Sequence, residues 1–286
     1  MKTYHVLYNA KANNGRGEEA VEALKTLLPH AELKPADVTA IKDYAAFFAA
    51  ADPADGVILC GGDGTLNRFV NDVGDLPGER EVLFYSVGTG NDFLRDIGGT
   101  PGEAPVDIRP YIRRLPTVTV KGITCKFING IGYGIDGYCC EVGDKMRAAG
   151  DQKINYAGIA VKGLLFHYKP TAAVITVDGK EYRFKKVWLA PTMNGRYYGG
   201  GMMATPDQDR LHNDTLSTLV MHGSGKLKTL TVFPSIFKGE HVKHKEMVEV
   251  LTGRTVKVVF DRPTALQIDG ETVLGVTEYV ATAPER

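Results

Sequence analysis

The sequence predicts an α/β plus all-β protein: a doubly wound α/β domain over residues 1–116, then an antiparallel β-sandwich over 117–275. Three observations carry this prediction. Strand and helix patterns alternate up to Pro116. Short strands bounded by Gly and Asp turns dominate beyond it. Two glycine-rich loops each follow a short apolar run, as at the carboxyl ends of parallel strands.

The elements follow in order. Val6-Leu7-Tyr8 is a short buried strand. Residues 18–28 place Ala20, Val21, Leu24, Leu27 and Leu28 at helical spacing. A strand over 31–38 and an Ala-rich helix over 44–51 come next. Val57-Ile58-Leu59-Cys60 is apolar throughout and bounded by glycines, which fits a strand buried on both faces. A helix over 66–73 and the strand Val82-Leu83-Phe84-Tyr85 complete the repeated βαβ pattern. In the second half, strands are expected over 117–121, 124–131, 172–177, 181–191, 215–221, 247–251, 255–260 and 265–268. Helices are expected over 134–165, broken at Gly150, and over 227–237.

Bulk properties narrow the function. A length of 286 residues suits two domains, each with its own core. The formal net charge is zero, so no global basic field draws the chain to nucleic acid or anionic lipid. No run approaches the roughly 18 apolar residues of a spanning helix. The first residues lack the apolar core of a signal peptide. Cys60, Cys125, Cys139 and Cys140 have no C-x-x-C spacing and read as reduced thiols of a cytoplasmic protein. His241 and His244 lack a third ligand and read as structural. Trp188, Tyr197 and Tyr198 read as core. Residues 156–168 carry Ile159, Val161, Leu164, Leu165 and Phe166 among lysines, which fits a helix packed on the sandwich better than a membrane-docking one.

The strongest motif is Gly61-Gly62-Asp63-Gly64-Thr65, set between a strand and a helix. Glycines let backbone N–H groups approach phosphate oxygens, and a helix start adds partial positive charge. Like charges repel, so Asp63 is not a phosphate ligand. It is expected to hold Mg²⁺ beside the phosphates. Gly88-Thr89-Gly90-Asn91-Asp92-Phe93 repeats the design after the next strand, with Asp92 either an N-cap or part of the phosphate site. Asp269-Gly270-Glu271 reads by itself as a hairpin turn.

Together, GGDGT and GTGNDF resemble the catalytic domain of the diacylglycerol kinase family, which includes bacterial soluble lipid kinases and is related to sphingosine kinases. NAD kinases and phosphofructokinases share the first motif only in related form. Phe127-Ile128-Asn129-Gly130, Lys238-Gly239-Glu240-His241 and the Asp-Gly-Glu turn also resemble the family. The resemblance implies a cytoplasmic kinase, peripheral at the membrane, that uses ATP and Mg²⁺ to phosphorylate a lipid alcohol such as diacylglycerol. It implies nucleotide contacts from Asn9, Ala10, Lys11, Ala12 and Asn13, from Thr39, from Gly61, Gly62, Asp63, Gly64, Thr65, Leu66, Asn67 and Arg68, and from Gly88, Thr89, Asn91 and Asp92.

The same resemblance makes Glu271 the proton acceptor, with Asp63 sharing that role or placing Mg²⁺, and Asp269 beside it. It gives a structural Mg²⁺ to Asp214 and the carbonyls of Leu211 and Leu216. It also implies that residues 276–286 return to the first domain. Expected partners are ATP, the lipid alcohol and a transient membrane surface, without nucleic acid; a homodimer stays open. The chain departs from the family pattern in four places, one of them Asp72 where a Gly is common. The Asn9 loop lacks Pro and Ser-Gly, Arg68 replaces Glu, and Asn213-Asp214-Thr215 replaces Asp-Asp-Gly. Two alternatives follow. One is a kinase for a sphingoid base, isoprenoid alcohol, sugar or NAD. The other is a nucleotide-binding regulatory protein with impaired catalysis.

Overall fold

The computed structural model describes residues 1–10, 16–88, 90–151 and 154–285. They form two compact units, Met1–Arg114 and Leu115–Arg286.

The first unit holds strands β1 (Lys2–Tyr8), β2 (Ala31–Asp37), β3 (Gly56–Gly61), β4 (Val82–Ser86) and β5 (Val106–Asp107). Its helices are α1 (Arg16–Leu27), α2 (Tyr44–Ala50), α3 (Asp63–Val73), α4 (Asp92–Asp96) and α5 (Arg109–Ile112). The sheet order is β2-β1-β3-β4-β5. The first four strands are parallel, and β5 runs antiparallel to β4. Every residue of β3 and β4 is buried, as expected of central strands covered on both faces. Pro35 lies in β2, an edge strand, where its missing N–H costs no ladder bond. Val6, Ile58, Cys60 and Leu83 pack against Ala20, Val21 and Leu24 of α1. Burial pushes the Cys60 thiol up to about 12, consistent with an unreactive core thiol.

The second unit contains β6 (Thr117–Val120), β7 (Ile123–Lys126), β8 (Gly130–Tyr133), α6 (Ile135–Ala148), α7 (Tyr156–Lys162), β9 (Thr171–Val177), β10 (Lys180–Val187) and β11 (Thr192–Met193). A short hairpin, β12 (Tyr197–Tyr198) and β13 (Met202–Met203), precedes β14 (Leu216–Met221), α8 (Lys226–Val232), β15 (Val248–Gly253), β16 (Thr255–Ile268) and β17 (Glu271–Thr282). The main path of the antiparallel sandwich is β15-β14-β11-β8-β16-β17-β6-β7. One half of β16 pairs with β9 and the other with β8, so this long strand joins the layers. Val118, Phe127, Ile131, Tyr133, Ile175, Val258 and Tyr279 fill one core cluster. Tyr133 stacks on Phe260 with ring centroids 3.8 Å apart.

Four expectations change. Residues 124–131 are not one strand, because Phe127 to Asn129 leave the ladder between β7 and β8. The strands expected over 255–260 and 265–268 are one, β16, whose pairing with β17 shifts register between Val259 and Thr264, around Pro263. The helix expected over 134–165 breaks at Gly150 (φ 101°) as anticipated, but its second part ends in a π-helical turn, Gly163–His167, that was not. The last strand does not return to the first sheet: β17 pairs with β16 and β6, because its hairpin with β16 fixes its place.

Gly137 of α6 lies against β16. A Cβ there would sit 1.8 Å from the Ala265 carbonyl oxygen, which backbone cannot accommodate without moving. Gly137→Ala is expected to destabilise the protein by about 1–3 kcal/mol in urea unfolding. Gly225→Ala, where a Cβ meets nothing within 4 Å, is expected to be near neutral.

Candidate active site

The first glycine loop is shorter than expected because α3 begins at Asp63 rather than Leu66. Gly62 is its N-cap, in extended backbone, and no side chain caps the helix. The first turn of this eleven-residue helix therefore has an N-cap that brings no side-chain acceptor to its amides, a natural seat for phosphate. A Cβ on Gly64 would meet nothing within 4 Å among the described residues. Thr65 packs over Gly61, where a Cβ would come within 2.4 Å of it. Leu66 is fully buried and its amide donates to the Gly62 carbonyl at 3.1 Å, so it anchors the helix rather than a ligand. Asn67 is buried and its carbonyl accepts from Asn71 Nδ2 at 2.9 Å, whereas Arg68 is exposed.

The second loop lies directly against the first. A Cβ on Gly88 would be 2.6 Å from the Gly62 Cα, so the two backbones touch where only glycine fits. Asn91 is left-handed (φ 51°) and held on both sides of its amide. Its Oδ1 accepts from Ser86 Oγ at 2.5 Å, and its Nδ2 donates to the Gly88 carbonyl at 2.7 Å. Asp63 then ties the loops together. Its Oδ2 accepts from the Asp92 amide at 3.0 Å and its Oδ1 from the Phe93 amide at 2.9 Å. Asp63 was expected to place Mg²⁺ or share the base role; its first task here is to cap α4. Asp92 is buried at the start of that helix, with Arg95 Nη1 3.8 Å from its carboxylate.

A residue the sequence reading missed organises the neighbouring strand ends. Asp37, the last residue of β2, accepts from the Thr39 amide (3.0 Å), the Thr39 hydroxyl (2.9 Å) and the Ala10 amide (3.4 Å). It thereby brings Ala10, next to Asn9, and Thr39 together at the carboxyl ends of β1 and β2. The Asp-x-Thr spacing at a strand end was the available signal. Lys11, Ala12, Asn13 and Thr89 lie outside the described residues.

In the second unit, Asp269 and Glu271 flank Gly270 but differ in their surroundings. Asp269 (φ 45°) and Gly270 (φ 96°) form the two-residue turn between β16 and β17, as the Asp-Gly signal predicts. The Asp269 carboxylate accepts from the amides of Ile128 (2.5 Å), Asn129 (2.8 Å) and Gly130 (3.0 Å). This is why Phe127 to Asn129 leave the ladder. Arg210 and Asn194 brace the same segment, each donating to the Ile128 carbonyl. Asp269 is thus a positioning residue for the turn, and Glu271 stands exposed at the turn's far end.

Asp136, also missed, opens α6. It is buried beside Gly132, where a Cβ would strike its carboxylate, and it accepts from Tyr198 Oη at 2.7 Å. Burial pushes its pKa up to about 7, while the Tyr198 hydrogen bond pulls the other way. A carboxylate at the start of a mostly buried helical turn was the signal. His241 donates its Nε2 proton to the Ala204 carbonyl at 2.9 Å, fully buried, in keeping with the structural reading.

The structural Mg²⁺ was expected on the Asp214 side chain and the carbonyls of Leu211 and Leu216. Arg254 Nη1 donates to a different oxygen, the Asp214 backbone carbonyl, at 2.9 Å. Gln208 donates to the Thr215 carbonyl, and Leu216 is a buried residue of β14. Among the described residues, no three His, Cys, Asp or Glu side chains are grouped to hold a metal. No helix of the described residues is long and apolar enough to cross a membrane.

Comparison with known proteins agrees with this geometry. Residues 3–119 match the diacylglycerol kinase catalytic domain, and residues 129–286 match the YegS C-terminal NAD kinase beta sandwich-like domain. The chain belongs to the diacylglycerol kinase family of lipid kinases. It is 33% identical to a diacylglycerol kinase of Mycobacterium tuberculosis over 128 residues, 44% of this chain and 40% of that one. The chain thus aligns with less than half the length of that relative. It is 24% identical to the "Putative lipid kinase YtlR" of Bacillus subtilis, over 89% of this chain and 84% of that one. A crystal structure of a diacylglycerol kinase from Bacillus anthracis shares the fold, with TM-score 0.61 and 18% identity over 99% of this chain and 94% of that one.

Two predictions follow from the second unit. Asp269→Ala leaves three amides without their acceptor and is expected to cost about 2–4 kcal/mol in urea unfolding, while Glu271→Gln leaves the midpoint unchanged. For Asp136 the folded pKa is raised above the ordinary 3.8 to about 7. As pH rises between those values the unfolded chain releases a proton that the folded chain keeps, so stability falls across that window and levels off above it. Thermal melts of Asp136→Asn are expected to show a smaller fall from about pH 5 to about pH 8 than the wild type. An equal fall in both would assign the dependence to other groups.

Proposed function

We propose that this chain is an ATP-dependent lipid kinase that phosphorylates the hydroxyl of a lipid alcohol such as diacylglycerol. One observation carries the reading. Two bare glycine loops meet backbone to backbone at the carboxyl ends of adjacent strands β3 and β4, tied by Asp63, beside the uncapped start of α3. The first-turn amides of α3, with Gly64 and Gly88, fit the phosphates. The Ala10 and Thr39 backbones fit the rest of the nucleotide. When bound, ATP supplies the phosphoryl group and Mg²⁺ neutralises its developing charge. Glu271 takes the proton of the acceptor hydroxyl as that oxygen bonds to the γ-phosphorus. The bond to the bridging oxygen breaks, and ADP leaves with the electron pair.

Phosphoryl transfer is mostly positioning and charge stabilisation, so the same parts serve several acceptors. The test is transfer from γ-labelled ATP, with Mg²⁺, to lipid alcohols in mixed micelles, with sphingosine, undecaprenol, a sugar and NAD in parallel. Diacylglycerol is expected to be labelled. Glu271→Gln is expected to lower the rate by about 10²–10⁴-fold while ATP binding persists. An unchanged rate sinks the base assignment. Label on another acceptor moves the substrate, and binding of ATP without any transfer favours a regulatory protein.

A further inference from the structure

We propose that Gln267 is a positioning residue for the turn that carries Glu271, and that the buried carboxylate of Asp136 sets the Gln267 amide. The proposal rests on the reading of Glu271 as proton acceptor, and its geometry lies entirely within the second unit.

The first observation is where the amides of the turn go. The two central residues of a hairpin turn stand outside the strand ladder, so their N–H groups need other partners. Here both have one. Asp269 N donates to the Gly130 carbonyl at 3.1 Å. Gly270 N donates to Gln267 Oε1 at 2.6 Å. Ile268 and Glu271 then pair across the ladder. The Asp269 carboxylate ties the turn to the segment between β7 and β8. Gln267 ties it to β16, through the residue directly before Glu271.

The second observation is what surrounds Gln267. It is 5% exposed, in a stretch of β16, Ala265 to Ile268, that is buried throughout. A buried amide costs stability unless it is hydrogen-bonded, so packing alone would be served by an apolar side chain. Gln267 lies opposite Gly132 of β8. A Cβ on Gly132 would be 2.5 Å from Gln267 Nε2 and 2.9 Å from Asp136 Oδ2. Amide and carboxylate therefore converge over the bare backbone of one glycine. With Oε1 turned to Gly270, Nε2 is the end that faces Asp136, a donor beside an anion that only accepts. The same Oδ2 accepts from Tyr198 Oη at 2.7 Å. The first turn of α6 cannot drift away, because Gly137 presses on the Ala265 carbonyl.

The arrangement gives the turn a charge-dependent support. An ionised Asp136 attracts the Gln267 amide nitrogen and keeps Oε1 on Gly270. The neutral acid exerts less of that pull. The titratable groups that act on Asp136 or feel its charge are Tyr198 of β12, Cys139 and Cys140 of α6, Tyr168 after the π-helical turn, and Tyr279 of β17. Burial pushes each of these thiols and phenols up, away from neutral pH. Asp136, which burial raises to about 7, is the member of this group that changes charge near neutrality.

Amide exchange and turnover together test the proposal. Gln267→Met takes the oxygen from the Gly270 amide and keeps a side chain of similar length. It is expected to speed exchange at Gly270 and to lower kcat by about tenfold to a hundredfold, with KM for ATP little changed. Gln267→Glu returns an acceptor oxygen and is expected to recover most of both. Added to Glu271→Gln, Gln267→Met is expected to cause no further loss, because the two act as one unit. From about pH 6 to about pH 8 the wild-type kcat is expected to rise, and that of Asp136→Asn to rise less. Unchanged exchange at Gly270 in Gln267→Met overturns the proposal. So does faster exchange with unchanged kcat, a further loss in the double variant, or an equal pH-dependent rise in Asp136→Asn. A role confined to stability would lower the urea midpoint and leave the pH profile where it was. An unchanged rate in Glu271→Gln removes the base assignment instead, and exchange at Gly270, which needs no turnover, still decides whether Gln267 holds the turn.

Discussion

The first unit depends on a contact that tolerates no side chain, Gly62 against Gly88, and on the carboxylate that locks it. Asp63 begins one helix and caps another, so the ends of β3 and β4 are held as one surface. The phosphate contacts proposed for the nucleotide use that surface. Without the backbone approach the amides of the two loops would diverge. Without the carboxylate, the start of α4 would lack acceptors for two of its orphan N–H groups. A carboxylate beside a phosphate site is at first sight an odd choice. Here its charge is directed at the amides of Asp92 and Phe93.

The second unit solves a related problem in the same way. Asp269 accepts three amides from the segment between β7 and β8, and that segment is braced by Asn194 and Arg210. The turn that carries Glu271 is thereby fixed to the centre of the sandwich rather than left as an exposed loop tip. A side chain assigned to proton transfer benefits from such support, because its reach is set by a rigid turn. In both units, acidic residues next to glycines act on the backbone.

Much of this was legible in the sequence because it rests on local rules. The continuous apolar runs of β3 and β4 marked buried parallel strands, and the glycine motifs marked where those strands end. The Asp269-Gly270 turn followed from positive-φ preferences. What was not legible depends on partners far along the chain. The break of the expected strand over 124–131 is made by Asp269, some 140 residues later. The capping role of Asp63 needs the amides of the next loop. Arg254, which donates to the Asp214 carbonyl, lies 40 residues further along. Asp136 was overlooked for the same reason: its hydrogen-bond partner Tyr198 lies 62 residues further along.

The place of β17 has a consequence for synthesis of the chain on the ribosome. β6 pairs with β7 early, but its other edge waits for β17, and β8 waits for β11 and then for the far half of β16. The first strands of the sandwich are therefore made well before their last partners exist. Until β17 emerges, β6 and β16 each present an open edge, the kind of surface that pairs with a stranger's strand. The second unit must close late and from both ends of its own sequence, a slow route for a sheet of high contact order. The first unit, whose parallel core is complete by Ser86, can be folded while its companion is still being translated.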